Sequence, residues 1–110
     1  MKVNRVAFAD EGVQKEYDSL SRRDEHGLKK FIDRALDNLK ADPTCGIPIP
    51  KRLIPKEYRL LGADNLWKYD LPSAWRLIYF LKGDQVMVVA IVLDWMTHKE
   101  YEKKFGYRVQ

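Results

Sequence analysis

One arginine occupies a position that a strand pattern normally gives to an apolar residue. In an alternating apolar run, Arg76 falls on the same predicted face as Ile78 and Phe80, so its charge needs an anionic partner. A guanidinium can hold a phosphate through two parallel hydrogen bonds and can stabilise the charge of a pentacovalent transition state. The pattern therefore predicts an anionic partner for Arg76, either a phosphate or, in a salt bridge, the carboxylate of Asp70 or Asp94.

A histidine stands at the start of a predicted helix. The segment from Thr97 to Glu100 matches the capping box, in which these two residues satisfy each other's backbone N–H groups, and it predicts a short helix over about 97–105. His98 is then the first helical residue, where free N–H groups and the positive end of the helix dipole attract anions. A phosphate at this turn would have a proton-transfer group beside it. The alternative is an exposed histidine without a role.

An antiparallel meander must position both side chains. Three alternating or apolar runs predict its strands: Leu66–Leu71, Trp75–Lys82 and Val86–Leu93. Pro72-Ser73 predicts the first turn. The second turn, Lys82–Gln85, has glycine as its first central residue, which predicts a type II′ hairpin. The last run is apolar throughout, which indicates a central strand covered on both faces.

One more strand and two helices precede the meander. Lys2–Ala9 predicts a short strand, and Asp10 can cap a helix over about 11–21. Asp24 can cap a second helix, whose apolar face is formed by Leu28, Phe31, Ile32, Ala35, Leu36 and Leu39. Four of the five prolines lie in 43–55, which indicates an ordered connecting loop. The expected fold is α+β, with an antiparallel sheet of about four strands, a helical hairpin on one face and a short C-terminal helix. All 110 residues are expected to form one domain.

Composition bounds the class of protein. The chain is 45% hydrophobic and 33% charged, as folded soluble domains are, and no apolar run approaches the ~20 residues of a membrane span. The N-terminus has no apolar stretch of signal-peptide length, so we expect a cytoplasmic protein without a membrane partner. The single cysteine, Cys45, cannot form an internal disulfide. No metal-ligand spacing and no nucleotide-binding glycine motif is present, so no metal or other cofactor is expected.

The formal net charge of +4 comes entirely from one third of the chain. Residues 51–82 hold seven basic and three acidic side chains, whereas residues 1–50 and 83–110 are each balanced. A local positive surface is what a polyanionic partner requires. The alternative is a solvated loop with dispersed lysines.

The remaining aromatic and histidine residues are interpreted structurally. Trp67, Trp75 and Trp95 could stack on nucleic-acid bases, but tryptophans at strand spacing more often belong to the core, and we favour the core. His26 has charged neighbours near a helix start and is interpreted as a surface residue.

Three segments carry a resemblance to a known family: LWKYDLPSAWRLIYFL (66–81), AIVLDW (90–95) and HKEYEKKFGY (98–107). With the order strand, two helices, basic loop, three-stranded meander and short helix, they make nearly the whole chain similar to the RelE/ParE toxin superfamily. The resemblance implies a small cytoplasmic toxin of a type II toxin–antitoxin system, wrapped and neutralised by a cognate antitoxin. The RelE branch cleaves mRNA in the ribosomal A site, and the ParE branch inhibits DNA gyrase.

The resemblance also implies roles for individual residues. Arg76 matches an arginine at the start of the third strand, which would stabilise charge on the phosphate. His98 matches the histidine of nuclease members and would act as a base or, the role we favour from the sequence, as the acid for the departing 5′-oxygen. Tyr101 matches a tyrosine that could position the substrate, with packing on the sheet as the alternative. Some members use a glutamate near Glu57 as a base, but the match is too loose to assign it. The residues that would line the approach for RNA are Lys51, Arg52, Lys56, Arg59 and Lys68.

The function expected from the sequence is metal-independent cleavage of mRNA, with mRNA, the ribosome and an antitoxin as partners. The ribose 2′-hydroxyl would attack the phosphate and leave a 2′,3′-cyclic phosphate or its 3′-phosphate product. Two alternatives stay open: a non-enzymatic toxin that inhibits gyrase, and an inactive family member that only binds a partner. The histidine favours the nuclease, because gyrase inhibition requires no proton-transfer group.

Overall fold

A computed structural model describes residues 2–20 and 27–106. In these ranges the chain forms β1 Val3–Phe8, α1 Glu11–Leu20, α2 Leu28–Ala41, β2 Ile47–Ile49, α3 Lys56–Arg59, β3 Leu66–Leu71, β4 Trp75–Gly83, β5 Met87–Thr97 and α4 His98–Phe105. The predicted α+β class is confirmed. None of these helices is long and apolar enough to cross a membrane. The predicted Asp24 cap and the surface position of His26 fall outside the described residues.

The sheet has the strand order β1-β5-β4-β3-β2. The predicted meander is confirmed, because β3, β4 and β5 pair antiparallel in succession. The prediction of about four antiparallel strands is corrected in two places. β2 adds a short edge strand to β3, where a strand with one unpaired side tolerates Pro48. β1 pairs with β5 in parallel, because the two helices carry the chain across the sheet before the meander returns it beside β1.

The turn between β4 and β5 differs from the predicted type II′ hairpin. β4 continues through Gly83, whose φ is not positive, and the Asp84 N–H donates to the Met87 carbonyl at 2.9 Å. The Asp84 carboxylate accepts hydrogen bonds from the backbone of Val86 (2.7 Å) and Met87 (2.9 Å), which lowers its pKa. Glycine serves here for close approach, since a Cβ at Gly83 would lie 2.3 Å from the Met87 oxygen.

β5 has one residue more than β4 across their pairing. Ile78 lies opposite Asp94 and Tyr79 lies opposite Val92, so Leu93 is the extra residue of a β-bulge. In a bulge, two successive residues of one strand lie opposite a single residue of the other. Leu93 and Asp94 of β5 therefore both lie toward the face that holds Ile78.

Both helices of the predicted hairpin pack on one face of the sheet, which we call the helix face. The Tyr17 hydroxyl of α1 donates a hydrogen bond to Asp33 of α2. The residues of α2 that are buried on this face are Leu28, Ile32, Ala35 and Leu39. They pack with Leu77, Tyr79 and Val92 of the central strands. All three tryptophans are half-buried and pack against this cluster, so they border the core and do not belong to its buried centre.

The opposite face is covered by α4 and by the connector, which we define as residues 50–65; we call it the connector face. Tyr58 and Phe105 stack with ring centroids 6.1 Å apart, and Tyr101 packs on Phe105 at 4.8 Å. These rings join Ile78 and Phe80 in a second buried cluster. The packing fixes α4 along the sheet, and His98 lies at the end where β5 finishes.

Candidate active site

The strand ends bring polar side chains together on the connector face. Asp70 lies opposite Arg76 across β3 and β4, and Trp75 lies opposite Thr97, the last residue of β5. The alternation of β3 places Lys68 and Asp70 on the face of buried Leu66. We define the polar cluster as Lys68, Asp70, Arg76, His98 and Glu102.

The turn that leads into Arg76 is strained. Pro72–Ala74 links β3 to β4, one residue longer than the predicted Pro72-Ser73 turn, and Ser73 and Ala74 both have φ of 62°. A left-handed backbone costs a residue with a side chain about 1–2 kcal/mol. Strain of this kind often accompanies functional sites, and here it fixes the direction in which the chain enters β4.

Arg76 has three close contacts. Its side chain is 16% exposed, and Nε lies 3.0 Å from Oδ1 of Asp70. The Nε–H is not directed at that oxygen, so the contact is an ion pair without a hydrogen bond. Nη1 donates to the Trp75 carbonyl at 3.0 Å, and Nη2 lies 3.2 Å from Nδ1 of His98. Of the two predicted carboxylate partners, Asp70 is therefore present and Asp94 is not.

His98 is the first residue of α4, as predicted, and both its ring nitrogens have partners. Nδ1 contacts Arg76, and Nε2 contacts Oε1 of Glu102, one helical turn further on. The side chain is 42% exposed, which leaves it accessible to a ligand. Sequence reasoning missed Glu102, although its i, i+4 spacing from His98 on a predicted helix was a usable signal.

Lys68 contacts both Asp70 and the ring of Tyr101. Lys68 Nζ lies 2.8 Å from Oδ1 of Asp70 and 5.8 Å from the centre of the Tyr101 ring. Tyr101 is only 4% exposed and belongs to the buried cluster, so its ring is closed to base stacking. The structure therefore agrees with the alternative prediction for Tyr101, which was packing on the sheet. Among Lys68, Asp70 and Arg76, two cations share one carboxylate.

The other predicted RNA-binding residues lie on the connector. Lys51 and Arg59 line an open cavity of about 490 Å³ with Ile54, Gly62, Ala63 and Asp64. Arg59 also donates to the Ile54 carbonyl through Nε (3.1 Å) and Nη2 (2.9 Å). Lys56 and Arg52 are exposed. Since Ile49 pairs with Leu66, Lys51 lies at the opposite end of β3 from Asp70, about 13 Å away or more by strand rise.

Two further carboxylates lie apart from Arg76. Asp94 accepts from the Trp95 N–H at 2.8 Å and from the Tyr58 hydroxyl at 3.4 Å, and burial raises its pKa. Glu57 pairs with Lys104 at 3.0 Å. Within 2–20 and 27–106, no three His, Cys, Asp or Glu side chains are grouped so that they could hold a metal ion.

The predicted capping box holds the start of α4. The Glu100 N–H donates to Oγ1 of Thr97 at 3.3 Å, and Oε1 of Glu100 accepts from the Thr97 N–H at 3.0 Å and hydroxyl at 2.9 Å. The backbone hydrogen bond from Thr97, followed by the one from its hydroxyl, lowers the pKa of Glu100 below its ordinary 4.5. The box fixes the turn on which His98 stands.

Removing this carboxylate gives a pH-dependent loss of stability. A lowered pKa in the folded state stabilises the protein above the ordinary pKa, and this contribution is lost as the pH falls through the folded value. Glu100→Gln keeps an acceptor oxygen for the capping box but loses the charge that strengthens its hydrogen bonds. We expect it to lower the free energy of unfolding by about 0.5–1 kcal/mol at pH 7, because a hydrogen bond to a charged group contributes about 1 kcal/mol more than a neutral one, with a smaller difference below about pH 4.5. Urea denaturation at both pH values measures this, with Glu11→Gln as the control. A difference that does not change with pH would contradict it.

Comparisons with known proteins assign no role to the polar cluster. No family model, no curated protein and no solved structure matches the chain. The RelE/ParE resemblance therefore stays a prediction from the sequence.

Proposed function

We propose that this protein is a toxin of the RelE type that cleaves mRNA on the ribosome, in the cytoplasm, without a metal. A cognate antitoxin would neutralise it in a toxin–antitoxin hetero-oligomer. The observation that supports the proposal most is the contact between Nη2 of Arg76 and Nδ1 of His98, 3.2 Å apart at an accessible edge of the sheet. A single phosphate at this edge can meet a charge-stabilising group and a proton-transfer group together.

Each member of the cluster has a part in this reaction. Arg76 stabilises the charge that develops on the phosphate when the ribose 2′-hydroxyl attacks. His98 exchanges a proton, and the positive end of the α4 dipole favours the anion. Lys68 adds positive charge, and its ammonium group makes a cation–π contact with the Tyr101 ring. In this proposal Tyr101 positions Lys68 and does not stack on a base.

The same contacts favour a second candidate function. Arg76 already has a carboxylate partner in Asp70, and both nitrogens of His98 are engaged. A closed set of contacts is also what a purely structural network would have. A non-enzymatic toxin that inhibits DNA gyrase, or a family member that only binds a partner, would fit this observation.

Analysis of the cleavage products tests the proposal. The purified protein is incubated with ribosome-bound mRNA and with free RNA, and the ends of the fragments are identified. We expect 2′,3′-cyclic phosphate or 3′-phosphate ends and no cleavage after a 2′-deoxynucleotide. We expect His98→Ala to lower the cleavage rate about 100-fold, because a positioned proton-transfer group contributes ~10²–10⁴-fold.

The matched control is His26→Ala, which removes the only other histidine of the chain and should cleave like the wild type. Equal growth arrest and equal mRNA decay with wild type and His98→Ala would remove His98 from the mechanism. Intact ribosome-bound mRNA together with inhibition of gyrase supercoiling would select the second candidate function.

A further inference from the structure

We propose that Glu102 is a positioning residue that fixes the tautomer of His98, so that Nδ1 acts as the general base for the ribose 2′-hydroxyl. The inference rests on the proposed function and makes it more specific. It also reverses the preference for an acid role that the sequence suggested for His98. The sequence pattern shows neither which ring nitrogen is free to react nor what holds the other.

The two contacts of the ring select one protonation state. A guanidinium offers only N–H donors, so the contact between Arg76 and Nδ1 requires a lone pair on Nδ1. A carboxylate offers only acceptors, so the contact between Glu102 and Nε2 requires a hydrogen on Nε2. The ring is therefore neutral with its proton on Nε2. Turning the ring over would place carbon atoms against both partners and lose both contacts.

Charged groups face His98 from its own helix and from two strands. Glu102 lies one turn along α4, and Arg76 approaches from β4. Two other members of the polar cluster, Asp70 and Lys68, stand behind Arg76 on β3. The carboxylate of Glu100 is engaged by Thr97, which leaves Glu102 as the carboxylate in contact with the imidazole.

Substrate binding would release the reactive nitrogen. In the free protein, Nη2 of Arg76 covers the lone pair of Nδ1. When the guanidinium turns to a phosphate, that lone pair becomes free at the place where the substrate has arrived. Glu102 still holds the proton on Nε2, so Nδ1 stays an acceptor. Arg76 and Glu102 therefore have complementary tasks on the same ring.

The proton and electron pairs balance in the reaction that follows. The 2′-hydroxyl gives its proton to Nδ1, and its oxygen forms a bond to phosphorus. The bond from phosphorus to the 5′-oxygen breaks, and the departing 5′-oxygen takes a proton from water. The imidazolium is stabilised by Glu102, as a carboxylate stabilises the histidine of a hydrolase triad, and then returns its proton to solvent.

NMR of the free protein tests tautomer fixation without any substrate. The ¹⁵N shifts of the ring nitrogens are measured above the titration range of histidine in ¹⁵N-labelled protein, with His26→Gln to assign the signals. Arg76→Ala imitates the departure of the guanidinium, and we expect a single tautomer with the proton on Nε2. Adding Glu102→Leu should give a mixture of both tautomers. A mixture in Arg76→Ala alone, or a single tautomer in the double variant, would overturn the inference.

Cleavage kinetics test the role in the reaction. We expect Glu102→Leu and Glu102→Gln each to lower the cleavage rate roughly 10- to 100-fold, because neither side chain stabilises the imidazolium with a charge. Glutamine offers a donor amide as well as an acceptor oxygen, so in the Arg76→Ala background it can pair with either tautomer and should give a mixture, as leucine does. The matched control, Glu16→Gln, removes the same charge from exposed α1 and should cleave normally.

The outcomes separate this inference from the proposed function. Unchanged cleavage by both Glu102 variants, while His98→Ala is slow, overturns the inference and leaves the proposed function standing. Wild-type cleavage by His98→Ala refutes the catalytic assignment itself and with it the base role of Nδ1. Slow cleavage by both Glu102 variants, together with mixed tautomers in the Arg76→Ala background, supports the inference most directly, since a merely structural contact would leave the tautomer of His98 unchanged.

Discussion

Replacing Arg76 with alanine is expected to lower RNA cleavage about 10²- to 10³-fold, the effect of losing one donor to the charge of a transition state. Asp70 also loses one of its two cationic partners and keeps only Lys68, which leaves more negative charge beside the phosphate and places the result at the upper end of this range. The cleavage rate at saturating RNA is the measurement, because stabilisation that arises only in the transition state changes that rate.

Two variants distinguish a role of Arg76 in the reaction from effects of its charge alone and from effects on folding. Arg76→Lys keeps the charge but loses the planar pair of donors, so we expect an intermediate rate. Arg34→Ala removes an exposed arginine from α2 and should cleave at the wild-type rate. Should Arg76→Ala lose stability in urea while its folded fraction cleaves normally, Arg76 is only the centre of a structural network, and the non-enzymatic alternative gains support.

Replacing Tyr79 with phenylalanine removes one buried hydroxyl group and is expected to cause a large loss of stability. The Tyr79 hydroxyl donates to the Pro43 carbonyl at 3.0 Å and accepts from the Gly46 N–H at 3.1 Å. The residue is fully buried, so both backbone groups would lose their partner away from solvent. We expect a loss of about 2–3 kcal/mol in the free energy of unfolding, measured by urea denaturation.

Tyr69→Phe is the matched control. It removes a hydroxyl that accepts from Asn38 of α2 at 2.6 Å in a solvent-exposed hydrogen bond, which water can replace, and it should cost less than about 0.5 kcal/mol. Equal losses in the two variants would contradict the role assigned to Tyr79.

The pH dependence gives an independent check on Tyr79. Burial raises the pKa of Tyr79 above its ordinary value of 10.0. A raised pKa means that its contribution to stability is complete below pH 10 and is lost as the pH rises further. Tyr79→Phe should therefore lose less stability than the wild type between about pH 10 and pH 11.

Local rules predicted the parts of the fold that depend on neighbouring residues. The apolar face of α2, the capping box at Thr97 and the alternation around Arg76 each follow from a spacing of four residues or fewer. Strand pairing between distant segments does not, so the edge strand at Ile47–Ile49 and the parallel partner of β1 were not foreseen. The turn at Gly83 was misread because glycine serves close approach there as well as positive φ.

The candidate site was predictable in its residues but not in its arrangement. Arg76 and His98 stood out by type and position, and Asp70 was one of two carboxylates considered for Arg76. The other, Asp94, is directed to Tyr58 because the bulge at Leu93 sets its position, and a bulge has no clear sequence signal. The connector residues were expected to line the site, but only the pairing of β2 with β3 shows at which end of the sheet they lie.

The distance between the connector cations and the polar cluster has a consequence for the effect of ionic strength. Lys51 is exposed, and its distance from Asp70 exceeds ~8 Å, the screening length in physiological salt. The side chains of Arg76 and Lys68 are mostly buried, and their shared partner Asp70 is half exposed, so salt screens these ion pairs less than it screens fully exposed charges. Salt therefore weakens the long-range attraction of a polyanion to the connector while leaving the interactions within the cluster largely intact. Capture of a nucleic acid and the chemistry at its phosphate would respond to salt as separate steps.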